Sequence, residues 1–405
     1  MKFGNLYAIP SRNGLTKPRS VRGDGIKFVN MGELFENERI GNIEMDRVPV
    51  SKTEMRDALL QKDDLLFARQ SFVREGAGKC SIITEVEEPT TFDSHLIRVR
   101  LNRSIANPSF YRYYFASPLS PMPGIVSQCA QAGIKGSDLK NLDVDCPPIE
   151  VQDKIASILG AYDELVENNR KQIRLLEEAV QRLYREWFID LKFPGHEIAP
   201  VIDGLPEGWQ KGSLLDCVDF CRGKSYTSGD LVEPGELRLA NLNSIAAYGG
   251  WTCGAEKPYT GKYKVEQLVS PGDVIMAVTD MTKERRLVGH VARVPKHADG
   301  FLMSMDLIKL VPKGVTDNYL YAALRFSGVA EMIAMLANGT NVLHLKPDAL
   351  NRVSFVRPDY GTQKQFSAAS ESLFAMSEHL EQEAVLAREA RDRLLPKLMT
   401  GEVKE

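Results

Sequence analysis

Two segments of the chain carry apolar residues at alternating three- and four-residue steps, and each pattern predicts a long amphipathic helix. The first segment runs from about Gln152 to Phe188 and the second from about Gln363 to Met399. Five heptads with mainly β-branched residues at one seam position are typical of a coiled coil. The predicted seam residues are Ile155, Leu159, Tyr162, Val166, Asn169, Ile173, Leu176, Leu183 and Trp187 on the first helix, and Phe366, Leu373, Leu380 and Leu394 on the second.

The second helix has the poorer seam. Its companion seam position is assigned to Ala369, Met376 and Ala390, and polar residues interrupt the pattern at Ser370, Ser377, Glu383 and Arg391. Two amphipathic helices of equal length most simply pack on each other, although each could instead pack only on its own globular part. Asn169 is either a buried amide that sets the helix register and needs a polar partner, or a residue at a solvated rim.

The remainder of the chain contains an internal repeat. Short β-like runs such as DLLFA and HLIRVRL lie between turn residues, and a short aromatic helix follows them. Because the period of the repeat is far longer than that of a solenoid, we interpret it as duplication of a whole mixed α and β domain. Shifted by roughly 210 residues, 26–32 falls on 237–243, 62–68 on 271–277, Gly78 on Gly289, 95–99 on 306–310, 108–117 on 317–327, and 138–155 on 348–366.

Composition sets the broad class. The 405 residues suffice for two ordinary domains, and 43% hydrophobic with 26% charged residues is typical of a globular protein. No long apolar run occurs and the first residues lack a signal-peptide core, so the cytoplasm is the expected compartment. Six cysteines, at positions 80, 129, 146, 217, 221 and 253, follow no disulfide framework, which suits a reducing compartment. The net charge is −3, but five basic residues lie within 10–30 and five within 281–298.

Motifs that would indicate catalysis are incomplete. RGKSY at 222–226 and GAGKC at 76–80 lack the upstream glycine of a phosphate-binding loop. CPPI at 146–149 is similar to the Asx-Pro-Pro-aromatic motif of amino-methyltransferases but lacks its amide or acid and its aromatic residue. The cysteines at 217, 221 and 253 lack an obvious fourth zinc ligand, and the six histidines form no HExxH motif. The sequence therefore predicts neither a catalytic residue nor a metal site.

Three polar loops occupy equivalent places in each half: the first at 11–25 and 221–230, the second at 68–79 and 278–290, and the third at 131–138 and 338–348. Arg and Lys suit phosphates and guanine edges, Asn and Gln suit adenine, and Gly lets the backbone approach closely. The loops differ between the halves while the framework recurs, which favours two readers of different DNA sequence. The candidate DNA-binding residues are Arg12, Asn13, Lys17, Arg19, Arg22, Arg69, Gln70, Arg74, Lys79, Lys135, Arg222, Lys224, Tyr226, Lys283, Arg285, Arg286, Asn341, His344 and Lys346.

Three segments carry a family resemblance: PPIEVQDKIASILGAYDELVENNRKQIRLLEEAVQRLYREWF at 147–188, GLPEGWQKGSLLD at 204–216 and ARDRLLPKLMTGEV at 390–403. With them the chain resembles the specificity subunit of type I restriction-modification systems over essentially its full length. The resemblance implies an α+β fold with two similar target-recognition domains, each a small twisted β-sheet with helices. It also implies that two long antiparallel helices, conserved in the family, separate the domains and form a coiled coil. The domains are then 1–147 and 196–356, and the helical segments are 148–195 and 357–405.

The resemblance also implies a function. Each domain would read one half of a split, asymmetric site in double-stranded DNA, and the helices would set the spacer. The subunit would not be catalytic: it would dock two methyltransferase subunits and, with motor-nuclease subunits, form the restriction complex. S-adenosylmethionine, ATP and Mg²⁺ would be used by those partners rather than bound by this chain, and no membrane would be involved. A predicted helix of about 36 residues would be about 54 Å long. That length is enough to place two sets of loops one DNA turn apart, roughly 34–36 Å.

Two alternatives stay open beside this interpretation. A fused or stand-alone restriction enzyme would need a methyltransferase or nuclease motif, and a coiled-coil scaffold would bind proteins through its heads. The basic loops favour DNA over the scaffold. One departure from the family pattern concerns LPEGW at 205–209, because its equivalent in the first half would precede Met1. We therefore expect either a shortened start or another segment that covers that edge of the first domain.

Overall fold

The chain folds into two compact units in the computed structural model, which describes residues 1–128 and 131–403. Unit 1 comprises residues 1–165 and 387–405, and unit 2 comprises residues 166–386. Cys129, one of the six cysteines noted above, lies outside the described residues. Both long helices continue from one unit into the other, so each unit contains part of both. The functional division of the chain at 147, 195 and 356 stays a prediction.

Unit 1 combines small β-sheets with short helices. Its helices are α1 (Met31–Glu36), α2 (Lys52–Asp57), α3 (Pro108–Ala116) and α4 (Gly136–Asn141), and α5 (Ile149–Tyr184) begins in this unit. Its strands are β1 (Tyr7–Asn13), β2 (Ile26–Val29), β3 (Arg39–Ile40), β4 (Arg47–Val48), β5 (Leu65–Ala68), β6 (Gln70–Ser71), β7 (Cys80–Ile83), β8 (Thr90–Phe92), β9 (Leu96–Leu101), β10 (Ser127–Gln128) and β11 (Ala132–Gly133). They form sheets of order β1-β9-β5-β7-β3, β4-β2-β8 and β10-β11-β6.

Unit 2 repeats this plan. Its helices are α6 (Leu214–Cys217), α7 (Asp317–Phe326) and α8 (Val329–Met335), and α9 (Tyr360–Thr400) begins in this unit. Its strands are β12 (Val201–Ile202), β13 (Leu205–Pro206), β14 (Gln210–Ser213), β15 (Val218–Arg222), β16 (Leu237–Ala240), β17 (Lys257–Tyr259), β18 (Val274–Ala277), β19 (Thr279–Asp280), β20 (Val291–Arg293), β21 (Leu302–Met303), β22 (Leu307–Pro312), β23 (Leu343–His344) and β24 (Ser354–Arg357). The sheets β15-β22-β18-β20 and β17-β16-β21 match β1-β9-β5-β7 and β4-β2-β8, while β19 pairs with β23, β14 with β24, and β12 with β13.

The duplication predicted from the sequence extends to individual hydrogen bonds. Gln152 and Gln363, near the starts of α5 and α9, are both completely buried. The Gln152 side-chain oxygen accepts a hydrogen bond from the backbone amide of Asn107 at 2.8 Å, and that of Gln363 accepts one from Thr316 at 2.9 Å. In each case the side-chain nitrogen donates to the backbone carbonyl five residues earlier. Equivalent hydrogen bonds from a buried glutamine therefore fix the start of each long helix to its own globular part.

The two long helices are confirmed. Both begin three residues before the predicted start, and α5 continues beyond Tyr184 as one π-helical turn over Arg185–Ile189. In unit 2, Asn169 contacts Leu380 while Trp187 packs against Phe366 at 5.9 Å between ring centroids. Increasing residue numbers on one helix therefore meet decreasing numbers on the other, and the pair is antiparallel.

The helices pack on each other and also on the globular parts, so the alternative that each helix packs only on its own globular part is wrong. In unit 1, Ile155 and Leu159 share a hydrophobic cluster with Leu395 and Leu398 of α9 and with the aromatic side chains of α3. In unit 2, Phe188 lies 5.1 Å from Phe366 of α9 and 4.7 Å from Tyr319 of α7, measured between ring centroids. In each unit, the parts of α5 and α9 that lie there thus form one side of a larger hydrophobic core.

The seam of α5 follows the predicted spacing. Its residues are buried at Ile155, Leu159, Val166, Asn169 and Trp187, and half-buried at Tyr162, Ile173, Leu176 and Leu183. Asn169 is 1% exposed, and its amide donates to the Leu380 carbonyl at 3.2 Å and to the Glu383 carboxylate at 2.7 Å. These are the polar partners that a buried amide needs.

The companion seam position of α9 differs from the prediction. Ala369 and Met376 are exposed, whereas Ser370 and Arg391, which the hydrophobic pattern predicts to interrupt the seam, are buried. Each buried polar residue has a hydrogen-bond partner, so hydrophobicity alone assigns this position one residue out of place. The buried and half-buried series that keeps the three-four spacing is Gln363, Phe366, Ser370, Leu373, Ser377, Leu380, Ala384, Ala387, Arg391, Leu394 and Leu398.

Candidate nucleic-acid interface

The three polar loops of unit 1 meet along one line of backbone hydrogen bonds. Ser94 donates to the carbonyl of Leu15 in the first loop at 3.0 Å, and Arg69 of the second loop donates to the carbonyl of His95 at 2.7 Å. The third loop then pairs with the second, because Gln70 of β6 lies opposite the glycine that ends β11. Loops far apart in sequence therefore share one surface.

Unit 2 brings its three loops together in the same way. Met305 donates to the carbonyl of Lys224 in the first loop, and Val278 of the second loop donates to the carbonyl of Asp306, both at 2.8 Å. Thr279 of the second loop pairs with His344 of the third. These contacts are the counterparts of those in unit 1, so the framework that gathers the loops is duplicated while the side chains it presents are not.

A glycine closes the second loop in each unit. Gly78 donates to the carbonyl of Ala68 at 2.8 Å, and Gly289 donates to that of Ala277 at 2.9 Å. Their φ angles are +81° and +82°, a conformation that other residues rarely adopt. A Cβ atom at Gly289 would also lie 2.8 Å from a backbone oxygen of α8. The pairing of these two glycines in the sequence repeat therefore marks a shared loop base.

The candidate DNA-binding residues divide by exposure. The exposed ones are Asn13, Arg19, Arg74, Lys135, Arg222, Lys283, Arg286, Asn341, His344 and Lys346. The half-buried ones are Arg12, Lys17, Arg22, Arg69, Gln70, Lys79, Lys224, Tyr226 and Arg285. The exposed group is distributed over the loops of both units and leaves its polar atoms accessible to a ligand. The assignment of any single residue to DNA stays a prediction.

Several half-buried cations have partners within their own unit. Lys17 forms an ion pair with Glu54 at 3.0 Å and Arg22 with Asp46 at 2.8 Å. Arg12 lies 3.8 Å from Asp57 between charged atoms. These contacts tie the first loop of unit 1 to neighbouring segments, so part of the positive charge in the sequence cluster over 10–30 organises the loop.

Two further cations bond to backbone carbonyls. The Lys79 ammonium donates to the carbonyl of Phe35 at 2.7 Å, and an Arg285 guanidinium nitrogen donates to that of Ala334 at 2.9 Å. Arg285 also has a left-handed backbone, with φ at +56°. Both side chains therefore fix the second loop to its unit, whereas the neighbouring Arg286 is exposed.

A buried carboxylate organises the second loop of unit 2. Asp280 is 0% exposed and accepts hydrogen bonds from the backbone amides of Thr282, Leu287 and Val288, at 2.6, 2.6 and 3.1 Å. Burial alone would raise the pKa of Asp280, but these donors and the Thr282 hydroxyl outweigh it and lower the pKa below its usual value. Sequence reasoning missed this role, although Asp followed two residues later by Thr is a local turn signal.

A charged cluster between α5 and α9 in unit 1 was also missed. The side chains of Arg391 and Asp163 are 10% and 5% exposed and form a close ion pair. Arg391 also bonds to Glu38 at 2.8 Å, while the Tyr113 hydroxyl donates to Asp163 at 2.6 Å. Burial disfavours the charged form, but the carboxylates of Asp163 and Glu38 outweigh it and raise the pKa of Arg391. The signal in the sequence was an acid at 163 and a base at 391, each beside an apolar seam.

Metal-ligating and membrane-spanning features are not found among the described residues. No group of three or more His, Cys, Asp and Glu side chains there could hold a metal ion. The five cysteines in the described ranges form no disulfide. Over the same residues, no helix is both long enough and apolar enough to span a membrane.

Comparison with known proteins identifies a recognition domain in the first half. The family described as type I restriction modification DNA specificity domain matches residues 22–178. This range contains the second and third loops of unit 1 together with the start of the first long helix.

Curated relatives carry the same description over more of the chain. The type I restriction enzyme MjaIX specificity subunit of Methanocaldococcus jannaschii is 24% identical over 281 residues, which are 67% of this chain and 63% of that protein. The match thus spans slightly less than two thirds of that relative's length. The type I restriction enzyme HindI specificity subunit of Haemophilus influenzae is 19% identical, with 93% of this chain and 94% of that protein covered.

A solved structure shares the fold. The crystal structure of the type I restriction-modification system S subunit from M. genitalium superimposes with a TM-score of 0.57 at 14% identity, covering 98% of this chain and 95% of that one. The duplicated units, the long antiparallel helices and the matched domain agree with this likeness. Residues 22–178 therefore match a type I restriction modification DNA specificity domain, and the chain as a whole is similar to type I specificity subunits in sequence and fold.

Proposed function

We propose that this chain is the non-catalytic subunit that reads DNA for a type I restriction-modification complex, with one half of a bipartite asymmetric site assigned to each unit. The observation that carries the proposal is the convergence of three polar loops in both units, on equivalent backbone contacts. A shared framework with different side chains is what two readers of different half-sites require. Duplication supplies the framework, and divergence of the loops supplies the specificity.

The chemistry of the loops supports a double-stranded DNA ligand. Exposed cations such as Arg74 and Lys135 in unit 1, and Lys283 and Arg286 in unit 2, suit phosphate contacts. Gln70 lies on the ladder between the second and third loops of unit 1, and His344 lies on the matching ladder of unit 2. Side chains held on paired strands keep a defined direction, so these two residues suit hydrogen bonding to base edges.

The partners follow from the same proposal. Two methyltransferase subunits dock on this chain, and motor-nuclease subunits join through the complex. S-adenosylmethionine, ATP and Mg²⁺ are used by those partners rather than by this chain, which acts beside host DNA in the cytoplasm. The role of α5 and α9 is to set the number of unread base pairs between the half-sites. The length of α5, 36 residues, supports this role because a helix of that length is a stiff element.

The test is to co-express the chain with its neighbouring methyltransferase and to map methylated bases in the host DNA. We expect a motif with two defined halves around a fixed unread spacer. Gln70→Ala should then relax the specificity at positions of one half only, and His344→Ala at positions of the other half only. Each variant serves as the control for the other, because both residues lie on equivalent strand pairs.

Two outcomes would overturn the proposal. A continuous methylated motif would mean that one unit does not read DNA. A stable complex with the methyltransferase that methylates no defined sequence would instead favour a protein-binding scaffold. If both variants altered the same half of the motif, the assignment of one half to each unit would be wrong, although DNA recognition itself would stand.

A further inference from the structure

Two large apolar side chains are exposed at the same position of the repeat. Phe72 immediately follows β6 and is 91% exposed, and Met281 immediately follows β19 and is 72% exposed. The preceding residues, Ser71 and Asp280, each anchor the turn through a side-chain oxygen that accepts backbone hydrogen bonds. The repeat therefore directs an apolar side chain outward at the start of the second-loop tip in both units.

Neither side chain contributes to the core of its unit. Both loops are held instead by polar contacts: the glycine closures at their bases, the short strand pairs, and the carboxylate of Asp280 in unit 2. A single exposed apolar residue on a protein surface is ordinary. Two at equivalent positions, in loops where most other side chains differ, indicate a shared ligand contact.

The surroundings favour DNA over an apolar protein surface. Exposed Arg74 lies two residues after Phe72, and exposed Lys283 lies two residues after Met281. Each apolar residue also directly follows a strand that pairs with the third loop, beside the residues proposed to read bases. Positive charge at this spacing suits phosphates on either side of a base contact.

We propose that Phe72 and Met281 each contact the apolar surface of a base in their own half-site. This inference rests on the proposed function and deepens it, because it names a contact that carries sequence information without a hydrogen bond. Two base surfaces share this chemistry: the 5-methyl group of thymine in the major groove, and the face of a base at a partly unstacked step. The backbone of the loop tip would supply position, and the side chain would exclude water from the base.

The test uses the complex with the methyltransferase and a duplex that carries the motif found for the wild type. Phe72→Ala and Met281→Ala should each weaken binding to the cognate duplex about tenfold, the usual effect of losing one base contact. Binding to a duplex that lacks the motif should not change. Ile198→Ala is the matched control, because Ile198 is 89% exposed but lies outside the polar loops.

Two modified duplexes distinguish contact with a thymine methyl group from contact with the face of a base. Replacing thymines of one half-site with deoxyuridine removes only the methyl groups. If Phe72 contacts a methyl group, deoxyuridine in its half-site should weaken binding by the wild type. The affinity of Phe72→Ala should then be the same for the thymine and the deoxyuridine duplex. If the contact is with a base face, 2-aminopurine at the contacted step should fluoresce more strongly with wild type than with Phe72→Ala. The same pair of duplexes in the other half-site tests Met281.

The outcomes distinguish this inference from the proposed function. A wild-type complex without a bipartite motif would overturn the proposed function. A normal wild-type motif, with cognate affinity unchanged in both alanine variants, would overturn only the base contact. If the variants instead failed to assemble with the methyltransferase while Ile198→Ala assembled, the two side chains would be protein contacts, and the inference would also be wrong.

Discussion

Between α5 and α9, unit 1 and unit 2 use opposite chemistry at equivalent positions. In unit 1 the two helices bring Asp163 and Arg391 together as a buried ion pair. An offset of 211 residues places Phe374 and Val180 at these positions in unit 2, where both belong to one hydrophobic cluster. Arg112 of α3, which reaches Asp163 at 3.4 Å, corresponds to Tyr321 of α7 when the two helices are aligned on their N-cap residues, Asn107 and Thr316. One duplicated frame therefore accommodates either a charged cluster or an apolar one.

The difference shows what each kind of core requires. An apolar cluster tolerates imperfect partners, because burial of surface is not directional. Buried charges are stable only when each has a partner, and the favourable interaction then offsets a large cost of desolvation. Unit 1 meets that condition with Glu38, which is partly exposed and contacts both arginines. We infer that the charges of unit 1 specify how its helices pair more than they stabilise it.

The largest expected effect comes from breaking the cluster on one side only. Asp163→Ala should lower the free energy of unfolding by about 3–5 kcal/mol, because it leaves buried guanidinium groups short of a carboxylate. Urea denaturation of the purified chain would measure the loss. Glu178→Ala is the control: its partner is an exposed arginine one helical turn away at 3.8 Å, so its effect should be below about 0.5 kcal/mol.

Replacing the charged residues of unit 1 with their counterparts from unit 2 tests whether the two helix pairs are equivalent. Asp163→Phe combined with Arg391→Val and Arg112→Tyr should recover most of the stability lost in Asp163→Ala, because no buried charge is then left unpaired. If the triple variant were as unstable as Asp163→Ala, the frame of unit 1 would depend on the charges themselves, and the equivalence of the two helix pairs would fail.

The second effect concerns the loop scaffold, where unit 2 has Asp280 and unit 1 has Ser71. Asp280→Asn should cost about 1.5–3 kcal/mol, the usual value of hydrogen bonds to a charged group. Because the pKa of Asp280 is lowered on folding, its contribution is present above the unfolded pKa and is lost as the pH falls through the folded pKa.

Denaturation of wild type and Asp280→Asn as a function of pH would check this. The difference between them should be constant near neutral pH and should shrink progressively at pH values below about 4, the unfolded pKa of an aspartate. Ser71→Ala, which removes the matching turn anchor in unit 1, should show no such pH dependence. A constant difference down to low pH would contradict the assigned role of the carboxylate.

The buried glutamines at the starts of α5 and α9 should contribute equally to stability, because the two units have the same residue at this position. Gln152→Ala and Gln363→Ala each remove three equivalent hydrogen bonds to the backbone at the start of a long helix, and each should cost about 1–3 kcal/mol. Hydrogen exchange of the first turns of α5 and α9 would locate the loss in the affected unit. A large effect in one unit and none in the other would show that the two buried glutamines are not equivalent in stabilising the starts of the helices.

The smallest effect is on DNA binding. Arg74→Ala in unit 1 and Arg286→Ala in unit 2 should each lower the slope of log affinity against log salt by about 0.9, the value for one phosphate contact. Fluorescence anisotropy at several salt concentrations would measure it in the assembled complex. Arg182→Ala should leave the slope unchanged, because this exposed side chain lies on α5 outside the loops. Unchanged slopes for both loop variants would remove these two residues from the interface.

Much of the architecture could be predicted because it depends on pattern. The three-four spacing along α5 predicted the helix and its seam, since an amphipathic helix must bury one face whatever it packs on. The repeat of short β-like runs predicted two similar units, and Gly78 and Gly289 marked the same loop base in both. The pattern failed on α9, where Ser370 and Arg391 are buried because they find polar partners that no hydrophobicity pattern contains.

The sequence by itself determined the class of the fold, the duplication, the long helices and the places of the loops, because these follow from local periodicity and from similarity between the halves. Only the tertiary structure decided that loops distant in sequence share a surface, that Lys79 and Arg285 bond to backbone carbonyls within their units, and that Asp163 lies beside Arg391. Such contacts depend on which segments pack together, and a side chain's partner across a core leaves no periodic trace in the chain.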